Sequence, residues 1–219
     1  MVRGGYAGKV LRVDLTTRQL RDEELPDRVL RQFVGGTGIG AWVLHNEVPA
    51  GVEPYDPDNR LIFATGPLNG TLVPGSGTFA VVTKSPLTGL ASSGHANGFF
   101  GARLKYAGYD AVIVQGCSAE PVYLNIDDGR AELCDATGLA GKDAWETEMA
   151  LRERHGQKGI DVNLSVACIG PAGENRVRFA AVCSDRGHVA SAGGPGSVMG
   201  SKRLKAIVVQ GAQGVPVHE

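Results

Sequence analysis

Apolar and polar positions alternate along Lys9–Leu15 (KVLRVDL), the period-two pattern of a half-buried strand. Thr16–Gln19 reads as a turn into a weaker return strand, Leu20–Leu25. Asp27–Val34 predicts a helix, Gly35–Gly40 interrupts it, and Ala41–Glu47 resumes the helical pattern. A proline-rich loop covers 49–57. Leu61–Thr65, Phe79–Thr83 and Ala111–Gln115 are short apolar runs, the pattern of strands buried on both faces. Between them, glycine- and serine-rich 85–98 predicts a loop and Gly98–Ala107 a helix.

The same order then recurs. VYLNID (122–127) echoes LRVDLT (11–16), and Gly141–His155 predicts a helix in the place of 27–47. VACIGP (166–171) echoes IFATGP (62–67), and FAAVCSD (179–185) echoes FAVVTKS (79–85). A second glycine-rich loop spans 187–196, and GSVMGSKRLKAIVVQG (196–211) replays GFFGARLKYAGYDAVIVQG (98–116). The expectation is an α+β fold, internally duplicated, with two β-sheets and helices related by a pseudo-twofold. The pseudo-repeats run about 5–116 and 117–211 within one domain, 1–219, and 212–219 forms a tail or linker. A spacing of about 100 residues is too long for a solenoid.

Composition narrows the function. With 22 Lys+Arg against 23 Asp+Glu, there is no basic footprint for nucleic acid and no polybasic membrane patch. No long apolar run predicts a membrane span, and the first residues lack a signal-peptide core, so the expected address is cytoplasmic. Cys117, Cys134, Cys168 and Cys183 form no C-x-x-C pair and read as scattered thiols. Glycine, at 32 of 219 residues, is about twice its usual share, which marks places of close backbone approach.

In each half a glycine-rich loop runs toward a predicted helix. The first is Ser92–Gly98, before the helix carrying Arg103 and Lys105; the second is Arg186–Gly196, before the helix carrying Lys202, Arg203 and Lys205. Helix N-termini present unpaired N–H groups that suit anions. Asn97 is the expected N-cap of the first helix. Two such loops about a twofold would hold a ligand that is itself roughly twofold; as bare structure they are tight turns. The glycines at 35–40 follow a helical pattern rather than a strand, so no Rossmann fingerprint forms, and no P-loop or G-x-S-x-G elbow occurs. Asp127-Asp128-Gly129 reads as a hairpin turn, and Asp110, Glu174 and Asp185 as lone acids without a partner at any telling spacing. Trp42 and Trp145 read as core.

GYAGKVLRVDLTT (5–17), FATGPLNGTLVPGSG (63–77), VVTKSPLTG (81–89), LKYAGYDAVIVQG (104–116), IGPAGEN (169–175) and SVMGSKRLKAIVVQG (197–211) together resemble the N-terminal domain of the tungsten- or molybdenum-dependent aldehyde ferredoxin oxidoreductases. The resemblance implies a base for a tungsto- or molybdo-bispyranopterin whose metal is held by dithiolene sulfurs. It assigns Thr37, Gly38, Thr78, Gly94, His95, Ala96, Asn97 and Gly98 of the first half to the cofactor, and Gly187, His188, Val189, Ala190, Gly193 and Gly194 of the second. It also implies a magnesium ion bridging the pterin phosphates, with His95 and Val189 as contacts. Thr37, Thr78, His188 and Ala192 stand where family members carry arginine. The implied chemistry is oxidation of aldehydes or related carbonyl or acyl substrates. Electrons would pass to a [4Fe–4S] cluster on a partner subunit or further domains, then to a ferredoxin-like acceptor. This chain alone is not expected to be active. The rival readings are a non-catalytic pterin carrier or assembly scaffold, and a degenerate domain without cofactor.

Overall fold

The computed structural model describes residues 4–156 and 163–217, so the ends of the expected domain and tail, 1–3 and 218–219, lie outside the described residues. The first half contributes strands β1 (Lys9–Asp14), β2 (Gln19–Glu24), β3 (Leu61–Ala64), β4 (Phe79–Lys84), β5 (Ala91–Ala96) and β6 (Ala111–Gln115). Its helices are α1 (Asp27–Phe33), α2 (Thr37–Glu47) and α3 (Phe100–Tyr106). The second half contributes β7 (Val122–Asp127), β8 (Arg130–Asp135), β9 (Leu164–Cys168), β10 (Val182–Ser184), β11 (His188–Ala190) and β12 (Leu204–Gln210). With them come α4 (Ala144–Arg154), α5 (Pro171–Glu174) and α6 (Pro195–Ser201).

The strands form two six-stranded sheets, β2-β1-β6-β3-β4-β5 and β8-β7-β12-β9-β10-β11. Matched element by element, the two orders are identical. In each sheet the last strand of the half pairs parallel with the first (β6 with β1, β12 with β7) and antiparallel with the third (β3 or β9). The internal duplication read from the sequence is thus a physical feature of the fold. Asp128 and Gly129 take positive φ, 42° and 84°, in the two-residue turn between β7 and β8, as the Asp-Asp-Gly signal requires.

The continuous apolar runs of the central strands follow from burial on both faces. Leu61 and Phe63 point into the core between the sheets, while Ile62 and Ala64 point out against α1 and α2. In the second sheet Ala167 and Ile207 face inward, and Val166 and Val208 face the layer that holds α4. Between the sheets lie α3 and α6. Helix α3 packs on β9 and β12 of the other half, and α6 reaches β3 and β4 of the first half as well as β10 and β12 of its own. Phe100 of α3 closes a ring cluster with Phe79 at 4.6 Å and Phe63 at 5.9 Å.

Several expectations need correction. The predicted loops at 85–98 and 187–196 contain strands β5 and β11. Pairing with β4 and β10 overrides their poor strand composition. The Gly35–Gly40 break is narrower than expected, because α2 begins at Thr37. A Cβ at Gly40 would lie 2.5 Å from Val82, so glycine is there to let the helix lie on β4. Trp42 is half-buried against the outer core as expected, but Trp145 is 56% exposed on α4. The acids are not lone: Asp110 pairs with Lys105, both wholly buried, and Glu174 pairs with Lys205. All four cysteines are free. Among the described residues no helix is long and apolar enough to cross a membrane.

Lys202 joins the halves. Its buried Nζ donates to the carbonyls of Pro57 and Gly116, each at 3.2 Å. Burial, and then the charge of Arg60, push its pKa down to about 8 from the usual 10.5. Between those values the unfolded chain binds more protons than the folded one, so this group makes stability rise with pH through that window. Chemical denaturation of wild type at pH 7.5 and 9.5, set against Lys202→Met, is expected to show a wild-type gain of about 2 kcal/mol that the variant lacks. Because α3 and α6 each bury against the opposite half, residues 4–116 or 117–217 expressed alone are expected to show no cooperative thermal transition in calorimetry.

Candidate functional site

The two glycine-rich corners meet where edge strand β5 of one sheet abuts edge strand β11 of the other. The contact is backbone-close. A Cβ at Gly94 would lie 3.2 Å from the carbonyl carbon of Ala190, and one at Gly98 would lie 2.7 Å from Asp185 Oδ2 and 2.9 Å from His188 Cδ2. Ser92 Oγ donates to the Ala192 carbonyl at 3.0 Å, and a Cβ at Gly193 would collide with that hydroxyl. Gly98 and Gly193 also hold φ of +93° and +76°, which glycine adopts without a Cβ penalty.

The period of β5 sorts the first corner into two faces. Gly94 and Ala96 are buried; His95 and Asn97 are exposed and Ser93 is half-exposed. Two threonines extend the exposed row. Thr37, in the first turn of α2, has its hydroxyl 2.7 Å from Ser93 Oγ and 3.1 Å from His95 Nε2. Thr78 Oγ1 donates to Asn97 Oδ1 at 2.5 Å. The loop that carries Thr78 is braced from beneath by buried Asn69. Its Nδ2 donates to the carbonyls of Ser76 and Thr78 at 2.8 and 2.9 Å, and its Oδ1 accepts from Gly66 N at 2.7 Å.

In the second corner Gly187, His188 and Val189 are exposed, whereas Ala190 and Gly194 are buried. Gly187 has open space where a Cβ would stand; Gly194, at φ +73°, would place one 1.9 Å from the Arg178 carbonyl. Of the residues assigned on sequence, Gly38 does not face this surface. It sits in the first turn of α2, where a Cβ would meet the Phe33 carbonyl at 2.0 Å.

The helix-terminus reading needs two corrections. Asn97 is not the N-cap of α3: Phe99 holds that position and no side chain of its own caps the helix. The amides of Phe99 and Phe100 instead donate to Asp185 Oδ2, at 2.7 and 3.0 Å. At α6 the N-cap is Gly194 in the left-handed region, and Gly196 N donates to the Ala180 carbonyl at 3.0 Å. This helix ends at Ser201, so it does not carry the expected cations: Lys202 is its C-cap, Arg203 follows, and Lys205 lies on β12. Both helices are one to two turns long with their leading amides engaged, so the exposed surface is made by side chains and loop backbone. Sequence reasoning missed Ser93 as a Thr37 partner, Asn69 and the capping role of Asp185. Only Asn69, within G-P-L-N-G, carried a turn signal.

Chemically the paired corners offer hydroxyls (Thr37, Ser93, Thr78, Ser191), imidazoles (His95, His188), one carboxamide (Asn97) and loop carbonyls and amides. Such a set suits a phosphorylated group and a hard cation through neutral oxygen and nitrogen contacts. Among the described residues no group of three or more His, Cys, Asp or Glu is placed to hold a metal by itself.

Residues 10–211 match the family model for the aldehyde ferredoxin oxidoreductase N-terminal domain. The tungsten-containing aldehyde ferredoxin oxidoreductase of Pyrococcus abyssi is 48% identical over 98% of this chain and 35% of its own length. The WOR-like subunit of the aliphatic sulfonate oxidoreductase of Pyrococcus furiosus is 38% identical over 96% of this chain and 35% of its own. Among solved structures, a chain of the active-site complex BamBC of benzoyl coenzyme A reductase, in complex with 1,5-dienoyl-CoA, superposes with a TM-score of 0.93. That chain is 42% identical, over 98% of this chain and 32% of its own length. The present chain therefore spans about a third of the length of the relatives it matches. With the fold and the sequence in agreement over nearly every residue, the chain belongs to the aldehyde ferredoxin oxidoreductase family and corresponds to its N-terminal domain.

Proposed function

We propose that this chain is the part of a tungsten- or molybdenum-pterin oxidoreductase that seats the bispyranopterin. The observation that carries the reading is the meeting of the two glycine corners, Gly94–Gly98 and Gly187–Gly194, where edge strand β5 abuts edge strand β11. When bound, the group supplies two-electron redox chemistry on an aldehyde or related carbonyl or acyl substrate; the protein binds and orients it. On the first corner Thr37, Ser93, His95, Thr78 and Asn97 present hydrogen-bonding groups to one pterin phosphate, and Gly187–Ala190 with Gly193 present loop backbone to the other. A magnesium ion between the phosphates would find its protein contacts at His95 and at the Val189 stretch. The iron–sulfur cluster, the substrate channel and contact with a ferredoxin-like acceptor fall to further domains or a partner subunit, and the compartment is the cytoplasm.

The metal is supplied with its own dithiolene ligands, so the reading asks no cysteine of this chain. Cys168 accords with that role. Burial, with lesser help from neighbouring Cys183, pushes its thiol well above the usual range, which makes it a poor metal ligand and a poor nucleophile.

Protein purified without oxygen from a host that makes the cofactor, together with the remaining domains, is expected to carry tungsten or molybdenum by metal analysis and pterin by fluorescence. An intact assembly holding neither overturns the proposal. Thr37→Val and His95→Ala remove exposed contacts, so pterin retention should drop severalfold while stability changes by no more than about 0.5 kcal/mol. Undiminished retention in both would remove those side chains from the site. Gly194→Ala places a methyl against the Arg178 carbonyl at positive φ and is expected to destabilise the fold by about 2 kcal/mol or more, read as a lower melting temperature.

A further inference from the structure

Among the described residues Asp185 is the carboxylate that ties the two corners together. It lies just after β10, in a turn where Asp185, Arg186 and Gly187 hold φ of 42°, 65° and 123°. Its Oδ2 accepts from the amides of Phe99 and Phe100 in the other half, at 2.7 and 3.0 Å. Its Oδ1 accepts from Ser165 Oγ at 2.5 Å and lies 3.7 Å from Arg152 Nη2. Arg152 is itself fixed, with Nε donating to Glu148 at 2.8 Å and Nη1 to the Leu164 carbonyl at 2.9 Å. The other oxygen of Glu148 accepts from Arg186 N at 2.9 Å, so the same buried pair grips the turn beside Asp185.

The internal repeat sharpens the point. The residue matching Asp185 in the first half is Ser85, whose hydroxyl accepts only locally, from Leu87 N at 3.0 Å and Thr88 N at 3.2 Å. The duplication therefore does not require a carboxylate here, and this half alone sends an anion across the interface. Gly98 has no room for a Cβ because that carboxylate occupies the space.

We propose that Asp185 is a positioning residue: it fixes the 97–100 corner of the first half against the 185–190 turn of the second, and thereby sets the spacing of the two binding corners. Its purpose rests on the cofactor reading above; its geometry does not. A charged acceptor shared by two amides is a strong cap, and its loss frees the corner without opening the core.

The test uses the whole chain as Asp185→Asn and Asp185→Glu, with Leu139→Ala as a control that weakens the outer core of the second sheet. In Asp185→Asn, hydrogen exchange at Phe99 and Phe100 is expected to quicken by at least about tenfold. A Leu139→Ala protein of equal or lower melting temperature should leave these amides within about twofold of wild type. Pterin retention in the complete assembly should fall severalfold in both Asp185 variants, since Glu keeps the charge but shifts the corner by one methylene. Unchanged exchange in Asp185→Asn, or equal quickening in the control, overturns the proposal, as does full pterin retention despite quickened exchange. If wild type itself carries no pterin, the cofactor reading fails and the exchange result alone decides the positioning role. Should Asp185→Asn not fold, Ser165→Ala removes one support of the carboxylate and is judged by the same exchange measurement.

Discussion

The placement of every group at the paired corners depends on one packing constraint: the inner helices are buried against the opposite half's sheet. Helix α3 leaves β5 and crosses onto β9 and β12; α6 leaves β11 and reaches β3 and β4. Each corner is thus anchored at one end in its own sheet and at the other in its partner's. That arrangement lets seven-residue helices, too short to be stable alone, hold a loop in place. It also explains the glycines at 94, 98 and 193: a Cβ at 94 would press on the backbone of Ala190, one at 98 on the side chains of Asp185 and His188, and one at 193 on that of Ser92.

Duplication made the architecture, but the two halves of the surface are not chemical copies. Two helices, α1 and α2, cover the outer face of the first sheet, and the first turn of α2 brings Thr37 to Ser93 and His95. Over the second sheet the outer core is closed by α4 and the short 137–139 turn. Asp185 against Ser85 is a second departure. A ligand with two similar ends would meet Thr37, Ser93, His95, Thr78 and Asn97 on one side, and on the other a corner whose exposed residues are Gly187, His188, Val189, Ser191 and Ala192.

The fold was legible because its signal is carried by burial. Unbroken apolar runs such as LIFA and LSVAC suit strands buried on both faces, and the repeat showed the same succession of elements twice; the strand order within each sheet came only with the structure. The edge strands at the corners, β5 and β11, were illegible for the opposite reason. Ala91–Ala96 and His188–Ala190 contain little apolar periodicity, and they are strands only because a neighbour offers its backbone. The cap on α3 was out of reach too, since a residue 86 positions away supplies what local reasoning sought at Asn97. Trp145 shows the limit of arguing by matched position: Trp42 packs against Phe33, whereas the equivalent place on α4 faces solvent. The candidate site residues were assigned by resemblance and glycine content. Which of them present side chains followed only from the β5 register.

The cations near the two corners complete the picture. Arg103, Lys105, Lys202, Arg203 and Lys205 follow the glycine loops in sequence and suggest a basic anion site. Each is spent elsewhere. Lys105 holds Asp110 and the Gly5 carbonyl, Lys202 two carbonyls at the junction of the halves, and Lys205 Glu174 and the Lys142 carbonyl. Arg103 donates to the Gly211 carbonyl and Arg203 to that of Ala119. Burying an ammonium group is costly unless its hydrogen bonds are met, and here they are met by the chain itself. Those five charges therefore stabilise the frame and do not face the corners. An anion seated there meets hydroxyl, imidazole, carboxamide and backbone groups, which bind by geometry more than by charge. If the corners seat the proposed cofactor, recognition there turns on the rigidity of the frame rather than on the chain's net charge of -1.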